Sequence, residues 1–427
     1  VIGDAPNMNL TAQQKTDYQS QILKKFLRYA SIDTQSDETQ NTKPTTQKQW
    51  DMIHLLEREL EQLGIGEQET TDDGFLIARI PSNIDGDQPP VIGFMAHVDT
   101  AGDLSGKDVK PQVIESYDGS VIQLGSEYIL DPAENPHLLE WLGKTVITTD
   151  GTTLLGADDK AGVAEIMSAA AHLVAHPEIK HGEIEIVFTC DEETGHGMDN
   201  FPLSSLKSRC CYTMDGGQHG EIEYECFNAY KAELTFTGVM YHPGTARGRM
   251  VNALTMASRL CSMLPHSESP EATDGRYGYY YLHAISGDAE KCHLVMNLRD
   301  FDAEGMERRQ ETVRAIAQAV EAAYPGGQIS IQFEKQYANM KEHITEDPLV
   351  MDLLTTVVKQ LGMQPIEKPI RGGTDGSRLS EMGIPSPNIF TGGMNFHSRY
   401  EWIALPAMGE AVSVILNLIE AWAEQRA

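Results

Sequence analysis

Cysteine is scarce in this chain, and so is positive charge. Six cysteines in 427 residues, at positions 190, 210, 211, 226, 261 and 292, lack the density and spacing of a disulfide scaffold, so reduced thiols and a cytoplasmic setting are expected. Lysine and arginine number 33 against 63 aspartates and glutamates, a formal net charge of −30, which argues against nucleic acid and anionic membranes as partners. Long hydrophobic runs are missing too. No stretch approaches about eighteen consecutive apolar residues, and no basic segment followed by an apolar one opens the chain, which speaks against a membrane span and gives no sign of secretion. Internal repeats and low-complexity segments are also absent. What remains, 41% hydrophobic and 22% charged residues, is a globular composition, and the length exceeds one ordinary core, so two domains are expected.

Against this background, five short clusters of metal-ligand residues stand out: His97-Val-Asp99, Gly156-Ala-Asp158-Asp159-Lys160, Asp191-Glu192-Glu193, Met214-Asp215-Gly216-Gly217 and Asn395-Phe396-His397. Each follows an apolar run or adjoins glycines, where an α/β scaffold presents its chemistry. The strand Val91–Ala96 is nearly all apolar, as in a sheet buried on both faces, and it ends on His97. Asp99, two residues on, shares a face with His97 and can fix its tautomer through the other ring nitrogen, as the carboxylate behind a metal-bound imidazole does; a hydrogen-bonded turn would show the same pattern. Asp158 and Asp159 open a helix that begins Ala161-Gly-Val-Ala-Glu-Ile-Met, where acids are also ordinary caps for the helix dipole. The strand Ile184–Cys190 runs into Asp191-Glu192-Glu193, and three adjacent acids at a partly buried strand end repel unless a cation neutralises them; a solvated acidic loop is the alternative. Cys190 could touch this site, although a small buried strand residue is the plainer reading. Two histidines and several carboxylates, with hardly any thiolate, suit zinc, cobalt or manganese. The set suggests two ions about 3.5–4 Å apart sharing a carboxylate and a water.

Residues 1–226 alternate helical and strand patterns, with helices near Gln13–Tyr29 and Gln47–Leu63 and all of the clusters but the last. From about Phe227 the pattern becomes strand (Tyr230–Phe236), helix (Asn252–Leu264), two strands (Tyr279–Ala284, His293–Asp300), helix (Ala303–Ala323) and strand (Gln328–Phe333), the order of the ferredoxin-like split motif. The core resumes near Asn339 with helices Leu349–Leu361 and Met408–Ala423. The expected organisation is therefore a catalytic domain of residues 1–226 and 340–427 interrupted by an inserted α+β lid of residues 227–339, with hinges near 226 and 339 and substrate taken between the two.

Several longer runs carry a family resemblance: Ser31-Ile-Asp-Thr-Gln-Ser36, His97-Val-Asp-Thr100, Leu154-Leu-Gly-Ala-Asp-Asp-Lys-Ala-Gly162, Asp191-Glu-Glu193, His242-Pro-Gly-Thr-Ala246, Met250-Val-Asn-Ala-Leu254, Arg299-Asp-Phe301 and Arg371-Gly-Gly-Thr-Asp-Gly376. From about residue 18 onward the chain resembles the di-zinc metallopeptidase family that also contains aminoacylases, succinyl-diaminopimelate desuccinylase and glutamate carboxypeptidases. The runs around Asp158 and Arg371 point within it to the tripeptide aminopeptidases. The opening Val1–Asn7 lies outside the resemblance and lacks an initiator methionine, as a cloning remnant or a processing remnant would.

The resemblance implies an α/β fold with a zinc-exopeptidase-like core, a mixed sheet flanked by helices. It implies His97, Asp158, Glu193, Asp215 and His397 as ligands of two zinc ions, with Asp158 bridging. His97 and Asp215 complete one site, and Glu193 and His397 the other. Asp99 and Glu192 become the catalytic pair, Glu192 as general base toward a metal-activated water. His242 is nominated as oxyanion donor, because the whole run His242–Ala246 matches a family motif; holding the Pro243-Gly244 turn is the plainer alternative. Arginine suits a peptide carboxylate because its guanidinium binds in two-point fashion; Arg371 ranks above Arg299, which an ion pair with Asp300 or Asp302 would also explain. Asn339 could bind the substrate backbone or cap a turn. The expected partners are short peptides with a free N-terminus, and assembly as a homodimer is open to the chain. An amidohydrolase or carboxypeptidase would use the same site residues. A silent peptide- or metal-binding protein would have no need of a base at Glu192.

Overall fold

A computed structural model describes residues 12–425, with side chains from Tyr18 onward; residues 1–11, and with them the opening segment Val1–Asn7, lie outside the described residues. The chain divides into two compact units, one made of residues up to Tyr224 with Glu342–Lys368 and Thr374 onward, the other of Glu225–Lys341 with Pro369–Gly373.

The first unit is built on an eight-stranded mixed sheet. Its strands run in the order Glu67–Thr70, Leu76–Ile80, Ile184–Thr189, Ile92–His97, Cys210–Gly216, Asn388–Phe390, Glu221–Glu223 and Ile366–Glu367. The four central strands, from Ile184–Thr189 to Asn388–Phe390, are mutually parallel, so their carboxyl ends emerge on one side. Both faces are covered, which is why these strands read as unbroken apolar runs. Side chains still alternate. Ile92, Phe94 and Ala96 pack with Ile22, Phe26, Met167 and Ile415, whereas Met95 packs with Phe75, Val187, Phe201 and Leu379. Each large side chain buried in this way contributes about 1.5–3 kcal/mol.

Helices Ala12–Ala30, Ala157–Ala175, Pro348–Gln360 and Leu405–Ala423 supply one cover. Leu405–Ala423 is long and apolar enough to cross a membrane by length and composition alone, but 78% of it is buried inside the unit, which makes it a core helix. Gly162 explains how closely the helix Ala157–Ala175 approaches the sheet: a Cβ there would lie 2.0 Å from the Met214 carbonyl oxygen. A smaller sheet joins Gly393–Met394, Trp402–Ala404, Val146–Thr148 and Gln112–Ile114.

The second unit has the strand order Tyr279–Gly287, Lys291–Asp300, Asn228–Thr237, Gln328–Tyr337, all antiparallel. Helices Ala253–Met263 and Ala303–Ala323 close a separate core around Phe236, Met256, Leu260, Met296, Val313 and Val320. This is the strand–helix–strand–strand–helix–strand order of the ferredoxin-like motif. The unit also takes in Pro369–Gly373, a segment that the sequence pattern places in the other domain. The physical reason is Arg371, whose guanidinium donates to the carbonyls of Gly275 (2.9 Å), Tyr277 (2.7 Å) and Thr273 (3.3 Å) and lies over the rings of Phe227 and Tyr279.

Candidate metal centre

Strand register places the first donors side by side. Ile92 pairs with Cys210 and Met95 with Thr213, an offset that brings His97 level with Asp215. His97 also pairs with Thr189 on the other side, just ahead of the acidic triplet. The chain leaves Phe390 still paired, with Thr391 and Gly392 donating to the carbonyls of Gly216 and Gly217, both at 2.9 Å. It then enters the smaller sheet, where the connection between Met394 and Trp402 carries His397. Asn395 and His397 both take a left-handed backbone, φ 58° each, a conformation that costs non-glycine residues about 1–3 kcal/mol and often marks functional turns.

Both imidazoles face carboxylates with both nitrogens. His97, 3% exposed, sets Nδ1 3.2 Å from Asp99 Oδ1 and Nε2 3.0 Å from Asp158 Oδ1 and 3.7 Å from Asp215 Oδ1. His397 sets Nε2 3.2 Å from Asp158 Oδ2 and 3.0 Å from Glu193 Oε2, with Nδ1 3.2 Å from Asp103 Oδ2. Asp158 therefore offers one oxygen to each histidine. His97 with Asp158 and Glu193, and His97 with Asp159 and Asp215, each present three donor atoms within 4.8 Å of one another.

Such a convergence of lone pairs needs positive charge in its midst. In the protein alone, protons supply it. The His397 pKa rises to about 11 through its contacts with Asp158 and Glu193. Burial opposes a charge on His97, yet Asp158, Asp215 and Asp99 lift its pKa well above the usual value. Burial, with Asp158 nearby, pushes the Glu193 carboxyl up to about 8, and burial raises Asp215 to about 6. Glu193 Oε1 is buried without a hydrogen-bond partner, an orphan acceptor of the kind a cation satisfies. Donors of imidazole nitrogen and carboxylate oxygen, with no thiolate among them, fit a borderline divalent ion.

Around this cluster Asp99, Asp159 and Asp191 each accept from backbone N–H groups. Asp99 accepts from the Glu192 and Glu193 N–H groups at 3.1 and 3.2 Å, so one carboxylate fixes both the His97 ring and the acidic turn. Asp191, first of the triplet, points away: it accepts from Thr45 N at 2.9 Å and Gln49 Nε2 at 2.7 Å. Asp159 accepts from His97 N at 3.1 Å and Gly162 N at 3.3 Å, which ties the helix start to the strand end. Glu192 is held well above the usual carboxyl range by burial, with Asp215, Asp375 and Glu193 adding repulsion and His97 opposing it. Lys160 is buried and donates to the Ile32 carbonyl at 2.6 Å. Cys190 is buried one residue beyond the strand Ile184–Thr189 and packs under Gly74 with its thiol 3.5 Å from that carbonyl. A recess of about 540 Å³ lined by Asp37, Glu38, Asp103 and Glu193 adjoins the cluster.

Four residues expected to bind substrate lie in the second unit. His242 Nδ1 accepts from Gly244 N at 3.2 Å, so a neutral ring carries its proton on an outward Nε2. Arg299 donates to the Leu298 carbonyl at 2.9 Å. It does not pair with Asp300, which binds Arg309 Nε at 2.7 Å. Asn339 Oδ1 accepts from Cys226 N and Lys341 N, and its Nδ2 donates to the Phe301 carbonyl. Arg371 is likewise engaged by backbone carbonyls. Asp103 and Glu401 lie four residues beyond Asp99 and His397; spacing alone gave no sign that Asp103, on the surface, reaches the His397 ring or that Glu401 is buried against the segment bearing Asp158.

Comparison with known proteins bears on this geometry. The family model for peptidase family M20/M25/M40 matches residues 149–421. Peptidase T of Clostridium perfringens (strain SM101 / Type A) is 48% identical over 404 residues, covering 95% of this chain and 99% of that protein. Among solved structures, aminopeptidase PepT from Bacillus cereus superposes with a TM-score of 0.75 at 22% identity, covering 95% of this chain and 99% of that one. A tripeptidase from Staphylococcus aureus gives 0.76 at 20% identity, with the same coverage.

Proposed function

This chain belongs to peptidase family M20/M25/M40 and is a peptidase, and from that premise we propose that it is a metal-dependent aminopeptidase releasing the N-terminal residue of tripeptides. The observation that carries the metal reading is Asp158, whose two oxygens each face the Nε2 of a different histidine. His97, Asp158 and Asp215 would hold one ion and Asp158, Glu193 and His397 the other, zinc by preference, with cobalt or manganese as substitutes. The printed names of the relatives, an aminopeptidase and a tripeptidase, support the substrate class. Six free cysteines, five of them buried, support a reducing cytoplasm.

When bound, the two cations would supply Lewis acidity toward the scissile carbonyl and lower the pKa of a water. The protein's own groups do the rest. Glu192 accepts the proton of the attacking water and passes it to the leaving amine as the C–N bond breaks. Asp99 keeps the His97 ring in the tautomer whose Nε2 lone pair faces Asp158 and Asp215. His242, with its proton on Nε2, is the proposed donor to the oxyanion of the tetrahedral intermediate.

Hydrolysis of an unblocked tripeptide, with the dipeptide and the N-acetylated tripeptide as controls, tests this before and after chelation and zinc restoration. Metal-dependent release of the N-terminal residue from the free tripeptide alone, lost in Glu192→Gln, is expected. Cleavage of the acetylated peptide would instead indicate an amidohydrolase or carboxypeptidase. Zinc binding without turnover would indicate a silent binding protein.

A further inference from the structure

One buried carboxylate outside the proposed ligands and base reaches the same centre from behind. Glu401 is 1% exposed. Its Oε2 accepts from Leu155 N at 2.7 Å and Gly156 N at 2.9 Å, and its Oε1 from Asp158 N at 3.1 Å. Three backbone N–H groups of the segment bearing Asp158 thus converge on one side chain, an anion-binding arrangement filled from within. Asp158 itself is not helical, with φ −83° and ψ 105°, so regular helix hydrogen bonds do not set its direction.

The other end of Glu401 leads to His397. The intervening turn is tied by Ser398 Oγ to the Asn395 carbonyl at 2.7 Å, by Tyr400 N to Ser398 Oγ at 3.1 Å and by Asn395 Nδ2 to the Tyr400 carbonyl at 3.0 Å. Just beyond, Trp402 pairs with Thr148, at the start of the stretch leading to Asp158. Two segments far apart in sequence therefore meet through one carboxylate.

We propose that Glu401 is a positioning residue that locks the segment bearing Asp158 to the turn bearing His397, so that the two donors of one cation site form a single rigid piece. This rests on the metal reading above. Only a carboxylate suits the role: glutamine has one acceptor oxygen and would turn an NH₂ group toward an N–H donor, and alanine would leave all three donors buried and unmet.

The test compares Glu401→Gln and Glu401→Asp with Glu185→Gln. Glu185 is a similar buried clasp, accepting from Lys207 N, Ser208 N and Ser208 Oγ, but it sits at the opposite end of its strand from the cluster. Zinc affinity by chelator competition, the visible spectrum of the cobalt-substituted protein, metal-free Tm, and kcat and KM are measured for each. Glu401→Gln should bind zinc roughly 10–100-fold more weakly, with an altered cobalt spectrum and a fall in kcat larger than any change in KM. Glu401→Asp should recover part of this, and if the glutamine variant does not fold, it carries the comparison through a several-fold weaker affinity. Glu185→Gln should lower Tm and leave affinity and spectrum unchanged. Wild-type affinity and spectrum in the Glu401 variants, or equal weakening in Glu185→Gln, would overturn the proposal. Absence of zinc binding in the unaltered protein would sink the metal reading itself.

Discussion

A carboxylate and an imidazole nitrogen 3.0 Å apart, both presenting lone pairs, repel unless a proton or a cation lies between them. His97 is in that position toward Asp158, and Asp99 decides which of the two occupies it. With Asp99 accepting from Nδ1–H, the Nε2 lone pair is available to a cation. In Asp99→Asn the amide can donate to Nδ1, which moves the ring proton to Nε2 and aims it at Asp158. Metal affinity should then fall roughly 10–100-fold, read by chelator competition, while the fold survives. An unchanged affinity would show that Asp99 serves only the N–H groups of Glu192 and Glu193.

At the scale of elements, the short strand Glu221–Glu223 carries acids at buried positions between two neighbours. Glu221 is paired with Lys368 at 2.8 Å, whereas Glu223 receives one hydrogen bond from Asn388 Nδ2 at 3.2 Å. Burial, reinforced by Glu221, pushes the Glu223 carboxyl from 4.5 up to about 8. A raised folded-state pKa means that the folded state holds its proton more tightly, so this group stabilises the fold fully below about pH 4.5 and that contribution is lost as pH rises through 8. Glu223→Gln keeps an acceptor for Asn388 and removes the titration. Its Tm should exceed that of the parent at pH 8, by on the order of 3 °C, and the gap should close toward pH 4.5. A gap independent of pH would refute this account of the strand.

At the scale of the whole molecule, the two units have separate cores, and all the candidate metal donors lie in the first. A ligand that binds only the folded state stabilises what it touches, by about 2.7 kcal/mol at a hundred times its Kd. Hydrogen exchange with and without zinc should therefore show added protection in 155–165, 190–195 and 395–402. Exchange in the strands Tyr279–Gly287 and Lys291–Asp300 should be unchanged. Equal protection in both units would mean that zinc acts elsewhere or on the chain as a whole.

How much of this was legible beforehand follows from the range over which each feature is encoded. The apolar runs ending at His97, Cys190 and Met214 announced parallel strands because burial on both faces leaves a local pattern. The order of elements from Tyr230 to Phe333 announced the split motif for the same reason. The donor types, two histidines with acids at strand ends, were likewise written in short segments. Tertiary structure alone decided where side chains pointed. It turned Asp191 toward Thr45 and Gln49 and committed Arg371 and Asn339 to backbone carbonyls and N–H groups. It also brought Glu401 beneath Asp158, whose partner lies 243 positions away in sequence. Periodicity reports which face of an element is buried, and hence the fold; a hydrogen bond between distant segments depends on register, turn geometry and the last ångström of packing, none of which leaves a local trace in the chain.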